Sequence, residues 1–265
     1  MLAMPHHNNS DKDLSLILDQ FDREARSQPV CRAGLSVLKI GKVLCQSDLF
    51  NFVTYWEFSE DEAVSAVEQV LTHFRGKDVE LMWRIYAHDQ PANLPSTLAA
   101  AGFIASEPGT LMLAGSSIVI PEPRLPDLKI RRVSDAGMVD DFLRTENAAF
   151  GIDEEPKNRH LYLADLNNPR HLRYVAYLDD IAVASARMEI SLNFAQLYGG
   201  GVIAAYRHQG IYKALLATRA QVARQMGARY LITEAADTSQ PILARLGFIA
   251  AGSETTWVYC SHGKR

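Results

Sequence analysis

The sequence predicts a mixed α/β chain, an α+β mixed sheet built as two units of one plan, and three observations predict it. From Val202 to Leu216 an apolar strand runs through the turn Arg207-His208-Gln209-Gly210 straight into an amphipathic helix, with Leu215, Val222 and Met226 on one face and Gly227 as its stop. Gly102-Phe103-Ile104-Ala105 repeats as Gly247-Phe248-Ile249-Ala250, and without a gap Thr110 falls on Thr255 and Leu98 on Leu243. The length of 265 residues with 48% hydrophobic composition suits two modest packed cores.

Taken in order, Asp13 to Arg26 places Leu14, Ile17, Leu18 and Phe21 on one helical face, which suits docking on the first unit; its polar face is mixed in charge rather than basic, unlike a membrane-surface helix. Ser59-Glu60-Asp61-Glu62 is a capping box, opening a helix with Val67, Val70, Leu71 and Phe74 inward and Gly76 at its end. Leu81 to Ala87 reads as a strand followed by Asp89, as Tyr230 to Ala236 is followed by Asp237. Ala114 to Asp127, with Pro121, Pro123 and Pro126, reads as a linker. Leu128 to Arg132 is a strand, Ser134 and Asp135 cap a helix toward Phe150, and a second helical stretch covers Glu155 to Leu166. Arg173 to Leu178 and Ile181 to Ile190 pair across Asp179-Asp180. Phe194 to Ala204 is the strand entering the Arg-x-x-Gly turn, Ser239 to Leu246 a short helix, and Ile249 to Tyr259 a closing hairpin.

Composition narrows the function. A formal net charge of -4 provides no large basic surface for a nucleic-acid backbone. Cys31, Cys45 and Cys260 show neither a disulfide framework nor a zinc spacing, and the eight histidines show no metal-ligand spacing, so no metal is expected. No apolar run approaches a spanning helix, and Met1 to Lys12 is too polar for a signal peptide, so a soluble, cytoplasmic monomer or homodimer is expected.

The turn from Arg207 to Gly210 into the amphipathic helix is a phosphate cradle: the first helical amides have no intrahelical partner, the dipole favours an anion there, and Gly210 lets the backbone come close. Arg207-His208-Gln209-Gly210-Ile211-Tyr212 resembles the Gln/Arg-x-x-Gly-x-Gly/Ala loop with which GNAT (GCN5-related) acetyltransferases hold the pyrophosphate of acetyl-CoA. Tyr212 departs from that pattern, so its ring must turn away from the phosphates or lie beside the cofactor. The resemblance covers Leu128 to Tyr259 and implies a tandem arrangement: residues 1–120 a degenerate GNAT-like domain, 121–127 a linker, and 128–265 the acetyl-CoA-binding domain. In the first half Trp56-Glu57-Phe58-Ser59 has no glycine and places acids where phosphates would sit.

The resemblance further implies an N-acetyltransferase that moves an acetyl group from acetyl-CoA to a small-molecule amine by direct attack. Main-chain groups of Gly201, Val202 and Ile203 would bond the pantetheine arm, those from His208 to Tyr212 the pyrophosphate, with Arg207 assisting and Ser239 at the family's small-residue position. Gln196 falls where the family's histone acetyltransferases place a catalytic Glu, and Tyr198 shares its sheet face; the two either orient a water or form a satisfied polar pair. Glu189 and Glu234 are the carboxylates placed to act as base. Leu243 stands where the family has its general-acid Tyr, and Ala236 where it has an Asn. Glu146, Asp153, Glu154 and Glu155 fall in the segment that lines the family's acceptor site, and Trp56, Trp83 and Tyr86 are either part of that pocket or core. The Gly199-Gly200-Gly201 run signals tight packing or a bulge. Two other readings stay open: a catalytically silent acyl-CoA-binding or regulatory module, and a protein N-acetyltransferase.

Overall fold

The computed structural model describes residues 7–47, 51–77, 79–121, 123, 125–152 and 159–260. In chain order the elements are α1 (His7–Phe21), β1 (Ser36–Ile40), β2 (Val43–Ser47), β3 (Asn51–Trp56), α2 (Ala63–Phe74), β4 (Glu80–Tyr86), α3 (Leu94–Ala100), β5 (Ile104–Ala105), β6 (Gly109–Gly115) and β7 (Leu128–Arg132). There follow α4 (Ala136–Phe150), α5 (Arg159–Ala164), β8 (His171–Leu178), β9 (Ile181–Ile190), β10 (Phe194–Val202), α6 (Ile211–Gln225), β11 (Tyr230–Ala235), α7 (Gln240–Arg245) and β12 (Ile249–Cys260). The described residues form two compact units that interleave along the chain, one taking 7–29, 36–111 and 251–260 and the other 30–35 and 112–250.

In the first unit the strand order is β1-β2-β3-β4-β12, with β5 also on β12. All pairings there are antiparallel except β3 with β4, which run parallel from Asn51↔Leu81 to Val53↔Trp83. The helix joining that parallel pair is α2, which buries Ala63, Ala66, Val67, Val70, Leu71 and Phe74 at the spacing its apolar residues require. At its entrance the Ser59 N–H donates to the Glu62 carboxylate at 3.0 Å, the capping-box bond expected. Trp56, Trp83 and Tyr86 are all buried within this unit, which places them in its core. The Arg26 guanidinium lies over the rings of Trp56 and Tyr86, and it bonds the carboxylates of Asp22 and Asp89. Among the described residues the grouping Asp22, His88 and Asp89 converges as metal ligands would, but its cation is Arg26.

In the second unit the order is β6-β11-β10-β9-β8-β7, again with one parallel pair, β10 and β11, joined by α6. Asp179 and Asp180 both take positive φ, 50° and 61°, as a two-residue hairpin turn between β8 and β9 demands. The Asp135 carboxylate accepts from the Met138 N–H at 2.9 Å and caps α4. The repeat read from sequence has one geometry in both units. Gly102 and Gly247 have φ of 92° and 94°, Phe103 N–H donates to Leu98 O at 3.0 Å, and Phe248 N–H to Leu243 O at 3.1 Å.

Two elements differ from expectation. Ile249 to Tyr259 is one strand rather than a hairpin, because residues 254–260 pair with β4 while 257–258 also pair with β5. Met226 is 41% exposed, since α6 ends at Gln225 and buries Ile211, Ala214, Leu215, Arg219, Ala220 and Ala223 instead. The Arg219 side chain survives burial by donating to the carbonyls of Leu215 and Arg187. Helix α5 is described from Arg159, and the expected start of that helix at Glu155, with Asp153 and Glu154, lies outside the described residues. Ile120 and Leu125 of the Pro-rich stretch pack against the second unit's core. No helix among the described residues is long and apolar enough to cross a membrane.

Candidate active site

The site begins where β10 leaves β11. Their parallel pairing covers only Phe194↔Tyr230 to Gln196↔Ile232, although the strands run on to Val202 and Ala235. The Thr233 hydroxyl donates to Leu197 O at 2.7 Å at the fork, and beyond it the β11 ladder offers β10 no partner. On its other edge β10 pairs with β9 up to Tyr198↔Arg187, shifts register, and resumes at Gly201↔Ser185. The triple glycine is this bulge, and each member meets something a side chain would displace. A Cβ on Gly199 would lie 2.9 Å from Arg187 Nε and 3.1 Å from Glu146 Oε1; on Gly200, 3.1 Å from the Tyr212 ring; on Gly201, 2.8 Å from Ala149 Cβ. Gly199 also takes a φ of +57°, which favours glycine. Bulge and close packing are both present.

The strand then delivers the chain into the glycine turn before α6. His208 and Gly210 take left-handed φ of 64° and 89°, a conformation that turns successive N–H groups toward one concavity at the N-terminus of α6. Gly210 caps the helix with no side-chain hydrogen bond of its own. Ile211 is buried, whereas His208 and Gln209 are exposed. Tyr212 turns its ring onto Gly200, toward the sheet and not across the cradle, which is how the sixth loop position tolerates an aromatic. Three expected contacts are already engaged elsewhere. Arg207 donates from Nε to Val202 O at 3.0 Å and from Nη2 to Ala149 O at 3.1 Å, so its guanidinium clamps strand to helix. The Ile203 N–H goes to Val183 O at 3.0 Å, leaving the alternate Val202 N–H on the fork side of the strand. The Ser239 hydroxyl donates to Ala236 O at 3.1 Å and closes the turn into α7. Leu243 is fully buried in the core, away from any proton-transfer role.

Strand alternation puts Glu189, Gln196, Tyr198 and Glu234 on one face, the face covered by α4 and α5. Gln196 pairs with Glu189 on one side and Ile232 on the other. The Tyr198 hydroxyl donates to Glu189 Oε2 at 2.9 Å, Arg32 Nη1 donates to the same oxygen at 3.1 Å, and the Val30 N–H lies 3.4 Å from Oε1. Burial and then the Glu189 charge push the Tyr198 phenol well above its ordinary value, so it stays a proton donor. Next to them Asp165 accepts from His171 Nδ1 at 2.6 Å, Asn168 Nδ2 at 2.8 Å and Arg173 Nη2 at 3.0 Å. Burial acts to raise the Asp165 pKa, but these donors outweigh it and hold the carboxyl below the usual range; burial holds His171 below its ordinary value.

Glu146, on α4, is the contrasting acid. Arg187 Nη2 stands 3.1 Å from its Oε1, yet that oxygen is buried with no hydrogen-bond partner. Burial raises its pKa, against the pull of Arg187 and Arg173. Arg187 Nε, Arg173 Nε and Ser185 Oγ beside it are likewise buried without a hydrogen-bond partner. Sequence reasoning missed Arg32, Asp165, His171, Arg173 and Arg187. The charges at alternate positions of β8 and β9 were a legible signal for the last three, whereas Arg32 meets Glu189 across 157 residues of sequence.

Residues 139–248, which hold the fork, the cradle and Glu146, match the model of the acetyltransferase (GNAT) family. No curated protein matches the chain. Among solved structures it is similar to a GCN5-related N-acetyltransferase from Kribbella flavida, at 17% identity and TM-score 0.67 over 96% of both chains. A GCN5-related N-acetyltransferase from Sphaerobacter thermophilus matches at 16% identity and TM-score 0.59, over 87% of this chain and 77% of that one. A tandem GNAT protein from the clavulanic acid biosynthesis pathway covers 99% of both chains at 12% identity and TM-score 0.56. The chain therefore carries a domain of the acetyltransferase (GNAT) family within a tandem GNAT fold.

Proposed function

We propose that the second unit is an acetyl-CoA-dependent N-acetyltransferase whose acceptor is the amine of a small molecule, with no metal in the reaction. The observation that carries this reading is the continuity of fork and cradle: β10 parts from β11 at Gln196 and leads directly into the left-handed turn at His208 and Gly210. An extended pantetheine arm fits an unpaired strand edge, and a diphosphate fits a nest of amides at a helix N-terminus. Acetyl-CoA supplies an activated acyl thioester. The chain's part is to hold that thioester beside β10, to seat the amine on the α4 side of the bulge, and to take up its proton. A thiol with an ordinary pKa near ~8.5 departs as a tolerable anion at neutral pH, so the Leu243 side chain need not be replaced by an acid elsewhere. Gln196 cannot take a proton. Glu189 and Glu234 remain the strand carboxylates on this face, but the Glu189 carboxylate already accepts from Arg32 and Tyr198.

Leu243 and Gln196 favour a second reading, a domain that binds acyl-CoA without turnover. Calorimetric titration of acetyl-CoA into the parent, Gly210→Ala and Gly210→Glu tests the first step. The Ala variant carries the backbone strain of φ +89° and a Cβ that would lie 2.8 Å from Pro123 Cβ, and the Glu variant adds a negative charge to these. Binding by the parent and its loss in the Glu variant support the assigned site; a parent that does not bind refutes both readings. Release of thiol with an amine present then separates enzyme from silent module.

A further inference from the structure

We propose that Glu146 is the group that receives the acceptor amine, binding it as an alkylammonium and taking its proton, so that the substrates are cationic primary amines rather than alcohols or neutral amides. This rests on the acetyltransferase reading above and gives it a base that is not one of the strand carboxylates.

The argument starts from place. The Glu146 carboxylate projects from α4 onto the β10 bulge, where a Cβ on Gly199 would sit 3.1 Å from Oε1. The bulge lies within the stretch of β10 that β11 leaves unpaired, so Oε1 faces the backbone that borders the fork. Glycine at 199 keeps that approach open. The second argument is unsatisfied bonding capacity. Folded proteins retain few buried carboxylate oxygens without a hydrogen bond. Oε1 has none, although Arg187 Nη2 ion-pairs with it at 3.1 Å, and Ser185 Oγ, Arg187 Nε and Arg173 Nε on the same sheet face are also without hydrogen-bond partners. Four such atoms on one face, next to a strand edge with a vacant ladder, fit a polar ligand: an ammonium donates to Oε1, while an acceptor group elsewhere on the substrate meets the guanidinium and hydroxyl donors.

The contrast with Glu189 decides between the acids. Three donors surround the Glu189 carboxylate and occupy its oxygens. The groups facing Glu146 are Arg187 from β9, Arg173 from β8 and the phenol of Tyr162 from α5, with glycines alone on the bulge of β10. Burial outweighs the two arginines there and keeps the carboxyl more basic than usual. The proton balance is then simple. Glu146 takes one proton from the ammonium, and the freed lone pair forms the C–N bond at the thioester carbon. The C–S bond breaks with its electron pair on sulfur, the second nitrogen proton neutralises the thiolate, and Glu146 returns its proton to solvent. One alkylammonium and one acetyl thioester give one amide, one thiol and one proton.

The test uses the full chain with Glu146→Gln and Glu146→Asp, and a panel of spermidine, glucosamine, lysine, tyramine and kanamycin. Acetyl-CoA affinity is measured by calorimetry, and turnover by thiol release across pH. The parent turns over at least one amine of the panel, Glu146→Gln lowers kcat/KM roughly 100-fold or more with acetyl-CoA affinity unchanged, and Glu146→Asp recovers part of the loss. The limb of the parent's kcat/KM profile that rises with pH as Glu146 deprotonates is absent in the Gln variant. A Gln variant that keeps the rate and the limb overturns the proposal while leaving the acetyltransferase reading intact. A parent that binds acetyl-CoA but acetylates none of these amines also overturns the proposal and favours the silent acyl-CoA-binding module. A parent that binds no acetyl-CoA overturns the underlying reading itself.

Discussion

Glu189→Gln is expected to act on stability and not on the proton-transfer limb. Glu189 is 7% exposed and Arg32 22% exposed, with 3.1 Å between Nη1 and Oε2. At that separation an effective dielectric near 20 gives a gross attraction of about 5 kcal/mol, and breaking one partner of a buried pair costs about 3–5 kcal/mol. Arg32 is exposed enough to swing into water, and Gln retains an oxygen for the Tyr198 hydroxyl, so the discounted loss is about 2 kcal/mol. For a chain of this size that lowers the melting midpoint by roughly 4–8 °C. The assay is a double-mutant cycle of Arg32→Met and Glu189→Gln by thermal or urea unfolding, with kcat/KM followed across pH. The cycle should show a coupling of about 1–2 kcal/mol. Unchanged melting together with a turnover loss of roughly 100-fold would refute the reasoning, because Glu189 would then be a base and not an anchor.

Gly201→Val forces a side chain against Ala149 Cβ at 2.8 Å and the Phe150 ring at 2.9 Å, so it should destabilise the second unit by about 1–3 kcal/mol, read as a lower urea midpoint with little change in slope. The buried Asp165–His171 pair sets an acid dependence. Burial holds folded His171 below its unfolded value near ~6.5, so the unfolded chain binds more protons as pH falls through that value, and stability drops. The depressed Asp165 carboxyl adds stability that is present above its unfolded value near ~3.9 and is lost as pH falls further. Melting curves from neutral pH downward should show both declines, and His171→Gln should remove the first; a variant with the parent's slope between pH of about 7 and 5 would show that His171 does not supply it.

What the sequence made legible was what local chemistry dictates. The strand, glycine turn and helix from Val202 onward, the capping box at Ser59, the I′-type turn at Asp179-Asp180 and the Gly-Phe repeat all depend on residues a few positions apart, and each is present. The errors arise where distant residues decide. Ile249 to Tyr259 reads as a hairpin from its small central residues, but pairing with β4 and β5 holds it as one strand. Met226 fits the helical period, yet α6 gives its buried turn to Arg219, because two main-chain carbonyls await that guanidinium. The same distinction governs the site. The cradle is a backbone property, and a loop motif specifies backbone, so glycines and φ signs suffice to find it. Choosing a base requires knowing which carboxylate is already satisfied, and that depends on partners such as Arg32, separated from Glu189 by 157 residues. Sequence nominates Glu189 and Glu234 as bases, and Glu146 only as part of an acidic acceptor-lining segment. The orphaned oxygen of Glu146 over Gly199, set against the three donors on Glu189, is what separates two of them, and burial and hydrogen-bond direction exist only once the sheet is folded.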